Sequence, residues 1–124
     1  VIDSVGQDAQ PKFGWGEVVN AHATGLTTGT NSVISSNGQP MWIGSWGMAV
    51  RTAATGELAT LQTTSGKIIA RIGLETTNDW ITHRYAWGWR VPNDDGIDLV
   101  ISGGSPEIEV IVEAMRKQSH NLQT

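Results

Sequence analysis

The sequence predicts an all-β, single-domain protein built as a two-sheet β-sandwich, on three observations. Apolar and polar residues alternate with a period of two through one segment after another, which is the side-chain repeat of a half-buried strand. Fifteen glycines, with many threonines and serines, break these segments at short intervals, as turns do between strands. There is no cysteine, so packing or assembly must hold the fold in place of disulfides or a Cys-based zinc site. A chain of 124 residues fits one core, because a domain of this size buries about two-thirds of its unfolded surface.

Residues 1–12 are polar, with Pro11 near their end, and read as an N-terminal arm that orders on docking. The domain proper is expected over 13–117. Residues 13–22 form a first strand weakened by Gly14 and Gly16, and 23–30 a turn-rich connection. A short strand over 30–35 ends at the Ser36-Asn37-Gly38-Gln39-Pro40 turn. In residues 41–52 the alternation sets Trp42, Trp46, Met48 and Val50 on one face against Ile43, Ser45, Ala49 and Arg51.

Residues 57–63 follow the Ala54-Thr55-Gly56 turn, and Ser65-Gly66 leads into 67–75, where Ile68, Ala70, Ile72 and Leu74 share a face. Residues 80–91 align Ile81, Tyr85, Trp87, Trp89 and Val91 opposite Thr82, Arg84, Gly88 and Arg90. Pro92-Asn93-Asp94-Asp95-Gly96 is a turn. Ile97, Leu99 and Ile101 then alternate with Asp98, and after Gly103-Gly104-Ser105-Pro106 a last strand turns Ile108, Val110 and Val112 inward against Glu107, Glu109 and Glu113. Helix formers follow Pro106, but the period-2 pattern and β-branched content of 107–113 specify a strand. About eight antiparallel strands result, the number of a jelly-roll-like sandwich, with 118–124 as a polar C-terminal tail.

Eight basic against twelve acidic residues give a net charge of -4, with no basic cluster to form a nucleic-acid footprint. Asp3 and Asp8 interrupt the start of the chain, so no signal peptide is expected there. No apolar run is long enough for a membrane-spanning helix.

Catalytic and cofactor signatures are lacking. His22, His83 and His120 do not have the spacing that sets two metal ligands on one helix face. They read as surface or partly buried histidines, with His83 a hydrogen-bonded structural residue or, on a symmetry axis, an ion ligand. Asn93-Asp94-Asp95-Gly96-Ile97-Asp98 offers hard oxygens for calcium but lacks the EF-hand layout, and a turn explains the same residues. Glu107 and Glu109 share a face, as the solvated side of a strand or as a glycosidase acid pair. There is no nucleophile elbow, and Gly14-x-Gly16 lacks the third glycine of a dinucleotide loop. No enzyme, metal or cofactor is expected.

Six tryptophans against one phenylalanine and one tyrosine are the remaining signal, because tryptophan serves both cores and contact surfaces. Parity assigns Trp42, Trp46, Trp87 and Trp89 to buried faces. Pro11, Phe13, Trp15 and Trp80, in the arm or near segment ends, are the candidate partner contacts. A sugar-stacking surface, and hence a carbohydrate-binding or host-attachment module, is the alternative use of such aromatics.

The strand at 41–51, the Ala-Thr-Gly-Glu-Leu-Ala-Thr-Leu stretch at 54–61, Trp-Gly-Trp-Arg-Val-Pro at 87–92, Gly-Ile-Asp-Leu-Val-Ile-Ser at 96–102 and the strand at 107–113 together resemble the small single-jelly-roll structural proteins of tailed bacteriophages. These are the decoration, cement and head-fibre proteins. The resemblance covers 30–116 and is one of pattern, shared in part with trimeric tumour-necrosis-factor-like proteins and carbohydrate-binding modules. It implies a non-enzymatic virion protein on the capsid surface, a homotrimer whose partners are the major capsid protein and its own copies.

Overall fold

The computed structural model describes residues 16–117. Its strands are β1 (Gly16–Leu26), β2 (Gly29–Ile34), β3 (Met41–Thr52), β4 (Leu58–Thr63), β5 (Ile68–Gly73), β6 (Ile81–Arg90), β7 (Ile97–Ile101) and β8 (Glu107–Lys117). They pair into two antiparallel four-stranded sheets, β1-β8-β3-β6 and β2-β7-β4-β5. Only β4 and β5 are neighbours in both chain and sheet. Every other connection carries the chain to the opposite sheet, which is jelly-roll winding. The all-β two-sheet sandwich expected from the sequence is thus the fold. The expected arm (1–12) and tail (118–124), with Pro11, Phe13 and Trp15, lie outside the described residues. Among those residues no helix is long and apolar enough to cross a membrane.

Burial follows position in the sheets. Strands β3 and β8 at the centre of one sheet supply Met41, Ile43, Met48, Val50, Ile108, Val110 and Val112 to the core, and β7 and β4 at the centre of the other supply Ile97, Leu99, Ile101, Ala59 and Leu61. Among the described residues the edge strands have a neighbour on one side only and stay half-exposed: β5 and β6 contain no buried residue.

The expected strand ends shift where pairing partners extend each other. Strand β1 runs to Leu26 rather than 22, and β8 to Lys117 rather than 113, because the two pair from Gly16↔Lys117 to Leu26↔Ile108. The connection expected over 23–30 shrinks to Thr27 and Thr28. At 92–96 the expected turn is one 3-10 turn, Pro92–Asp94, followed by extended backbone at Asp95.

Three irregularities overturn the expected faces, because a residue added on one strand reverses every side chain beyond it. In β3 the register slips between Ile43 and Ser45 against both neighbours. Met41 and Ile43 face the core before the slip and Trp46, Met48 and Val50 after it, so Trp42 lies on the outer face, half-buried, and not with Trp46.

In β5, Leu61↔Ala70 is followed by Gln62↔Ile68, which makes Ile69 the extra residue. Ala70 and Ile72 pack on the core while Ile68 is left 47% exposed, against the expected common face. In β6, Ile43↔Trp89 is followed by Ser45↔Arg84, so residues 85–88 together oppose Gly44. Tyr85 and Trp89 pack against the core, but Trp87, expected to be buried, is 68% exposed. Gly88, with φ +79, supplies the left-handed backbone that returns the chain to the ladder.

Candidate functional site

The outward face of the β1-β8-β3-β6 sheet collects the side chains that the core does not use. Register aligns them in rows across the strands. One row is Val18, Met115, Trp42 and Arg90, with the Arg90 guanidinium 5.4 Å from the Trp42 ring centroid. Val18, on β1 at the edge of the sheet among the described residues, is 63% exposed. A shallow, almost wholly apolar hollow of about 170 Å³ lies beside Val18, Gly44 and Met115. The next row is Asn20, Glu113, Ser45 and Arg84, and the third His22, Ile111, Gly47 and Thr82.

Trp80 is placed on this face by the turn that precedes β6. Asn78 acts as a short extra strand: its Oδ1 accepts from Val50 N at 3.0 Å and its N–H donates to Val50 O at 3.2 Å. The chain then lays the Trp80 indole over Gly47. A Cβ at residue 47 would sit 3.2 Å from that ring and 3.1 Å from both Ile111 Cγ2 and Thr82 Cγ2. The missing side chain is therefore the ring's seat. Ala49 points outward like Gly47 yet has no exposed surface, as expected beneath such a cover. Trp80, the one candidate contact among the described residues, remains 38% exposed while serving this packing role.

Polar groups tie the indole down from its rim. Arg51 lies 5.4 Å from its centroid and the His22 ring 6.2 Å away, and both reach Glu109: Arg51 Nη2 at 2.8 Å and His22 Nε2 at 2.5 Å. The His22 hydrogen bond, then the Arg51 hydrogen bond, hold the Glu109 carboxyl below its ordinary range. Glu109 was legible only as one of two strand carboxylates. Its partners come from β1 and β3, far away in the chain, and no local signal announces them.

The other singled-out residues separate. His83 is exposed at the β6 edge, stacked on Trp46 (6.2 Å between centroids) and edge-on to Tyr85 (4.6 Å). Its contacts are aromatic rather than the expected hydrogen bond. Trp46 Nε1 donates to Tyr85 Oη at 3.2 Å, which joins the buried and edge aromatics. Around 93–98, Asn93 and Asp94 have positive φ, Asp94 pairs with Arg90 at 3.0 Å, and Asp95 accepts from Ser65 N at 3.1 Å. Partial burial, then Asp95, pushes the Asp98 carboxyl up. Among the described residues no three His, Asp or Glu side chains converge on a metal-sized site.

This combination defines a jelly-roll sandwich whose outer face sets an apolar row beside rows of polar and charged groups. No protein-family model matches the sequence, and no curated protein matches it.

Proposed function

We propose that the protein is a non-enzymatic structural module of a virion that attaches to the outer surface of a bacteriophage capsid as a homotrimer. The carrying observation is the apolar row Val18, Met115 and Trp42, which runs across the outer face to β1, an edge strand among the described residues, and leaves Val18 63% exposed. Burying such a side chain against a partner is worth about 1.5–3 kcal/mol. The jelly-roll order supports the class by analogy, since this winding recurs in viral capsid domains.

The two edges of the sheet among the described residues, β1 and β6, carry different residues. A contact of one copy's β1 edge with the next copy's β6 edge is head-to-tail, and it closes as a trimeric ring when the rotation between copies is a third of a turn. The major capsid protein is the second partner, and the capsid surface the location.

Co-sedimentation with undecorated capsids tests the reading. The protein should pellet with capsids at micromolar concentration, and Val18→Asp should release it; protein that stays in the supernatant refutes capsid attachment. Analytical ultracentrifugation should give three times the 13.3 kDa chain mass, and a monomer at all concentrations would remove the trimer.

A further inference from the structure

The Ser36-Asn37-Gly38-Gln39-Pro40 turn, which joins β2 to β3, holds the only Asn-Gly step in the chain. Asn37 and Gly38 are exposed, and Gly38 has φ +80 with nothing within 4 Å of where a Cβ would stand. Among the described residues Asn37, Gly38 and Gln39 hydrogen-bond only within the turn: Gly38 N–H donates to Ser36 Oγ at 3.2 Å and Gln39 N–H to Asn37 Oδ1 at 3.0 Å. The turn is anchored on either side of them. Before it, Arg116 Nη2 donates to Ser35 O at 2.6 Å and Ser36 Oγ to Asp94 O at 2.7 Å. After it, Lys117 N–H donates to Pro40 O and Val91 N–H to Met41 O, each at 2.9 Å. The three residues between these anchors can therefore rotate without breaking a strand pair.

An asparagine side-chain carbonyl is attacked by the backbone nitrogen of the next residue when that nitrogen reaches it, and glycine, having no Cβ, crowds the approach least. The Asn37 carbonyl is also polarised. Gln39 N–H sits on its Oδ1 at 3.0 Å, a distance at which a donor stabilises an oxygen taking up negative charge. Ser36 Oγ gives its own proton to Asp94 O and accepts the Gly38 N–H with a lone pair, at a length that holds the nitrogen loosely. The other asparagines lack this combination. Asn20 Oδ1 accepts from Ala114 N within the β1–β8 ladder, Asn31 Nδ2 donates to the carbonyls of Thr27, Gly29 and Leu99, and Asn78 Oδ1 accepts from Val50 N. Alanine, serine, aspartate or leucine follows every asparagine but Asn37, and puts a Cβ beside the attacking nitrogen.

We infer that Asn37 is a site of self-modification: in the folded protein it cyclises onto the Gly38 nitrogen, loses ammonia and becomes aspartate or isoaspartate. The Gly38 N–H proton goes to solvent hydroxide and the nitrogen forms a bond to Asn37 Cγ. The Cγ–Nδ2 bond breaks, and Nδ2 leaves as ammonia with a proton taken from water. Water then opens the cyclic imide at one of its two carbonyls. Opening at the side-chain carbonyl gives aspartate; opening at the main-chain carbonyl gives isoaspartate, in which the main chain runs through the former side chain. Water is the only co-reactant. Either product adds one negative charge to the formal -4, and the atom that isoaspartate inserts into the main chain lies between the Ser36 and Pro40 anchors, so β2 and β3 keep their register. The site does not depend on capsid attachment.

The test incubates the full chain below its unfolding temperature, at neutral and at mildly alkaline pH, with samples taken over weeks for peptide mapping by mass spectrometry. Circular dichroism checks that each sample keeps its β fold. The peptide that carries residues 36–40 should gain the mass of an amide-to-acid exchange and separate into aspartate and isoaspartate forms, faster at the higher pH because the attacking nitrogen must lose its proton. Peptides with Asn20, Asn31, Asn78 and Asn93 should stay unchanged over the same interval. Asn37→Ser should remove the conversion, and Gly38→Ala should slow it by about tenfold or more. The inference is overturned if Asn37 of the folded chain is unchanged after an interval that converts it in the urea-unfolded chain, if another asparagine converts first, or if Gly38→Ala converts as fast as the wild type. Capsid co-sedimentation is scored separately, so either reading can fail alone.

Discussion

Trp80 and Trp87 flank the two ends of one edge strand and have opposite fates. Trp80, before β6, lies over Gly47 between Arg51 and His22. Trp87, on the bulge near its end, is 68% exposed. The composition of the neighbouring strand makes the difference. A missing side chain at Gly47 gives one indole a seat, whereas residues 85–88, opposed to Gly44 alone, carry the other off the ladder. An aromatic side chain on a sheet face is thus structural or available according to the space its cross-strand neighbours leave.

The contrast can be broken from either side. Trp80→Ala should cost the most, about 2–3 kcal/mol, because it uncovers Ala49 and Ile111 and removes the face on which Arg51 rests. Urea unfolding measures it, and a loss below about 0.5 kcal/mol would make Trp80 a bystander.

Next is Gly47→Ala, at about 1–2 kcal/mol, because the added methyl meets Ile111, Thr82 and Trp80 at 3.1–3.2 Å. Combined with Trp80→Ala the penalty should shrink, since the pair shares one contact; strict additivity in a double-mutant cycle would deny the shared seat.

A smaller effect is expected from acid. The Glu109 pKa is lowered from 4.5 by His22 and Arg51, so its contribution is present above the unfolded-state value and lost as pH falls through the folded one. Asp98, with its raised pKa, works in the opposite direction: it favours the folded state as pH falls and Asp98 protonates. The melting-temperature difference between wild type and Glu109→Gln isolates the first effect. It should be largest near neutrality and close towards low pH, and a pH-independent difference would mean that the ion cluster contributes nothing. Smallest of all, Trp87→Ala should leave stability within about 0.5 kcal/mol; a loss above about 1 kcal/mol would return Trp87 to the structural class.

Much of the fold was legible. The alternation of Ile97, Leu99 and Ile101 and of Ile108, Val110 and Val112 marks two central strands whose inward residues are all buried. The candidate site was less legible. Trp42 and Trp87 were assigned to buried faces by counting in twos, and the count fails at the slip beside Gly44. Gly44 itself is visible in the sequence, but an isolated strand glycine marks an irregularity without saying which strand takes the extra residues. The Glu109 partners and the Ser45, Arg84 and Glu113 row depend on which strands lie side by side, and local patterning does not contain that.

The sequence by itself determined that the chain is a cysteine-free sandwich of strands joined by turns, because side-chain periodicity and turn chemistry are local properties of the chain. Only the tertiary structure decided which tryptophans are covered and which polar groups share a row. Those outcomes hang on hydrogen-bond register between strands distant in the chain, where one slipped residue exchanges the inside of a sheet for its outside.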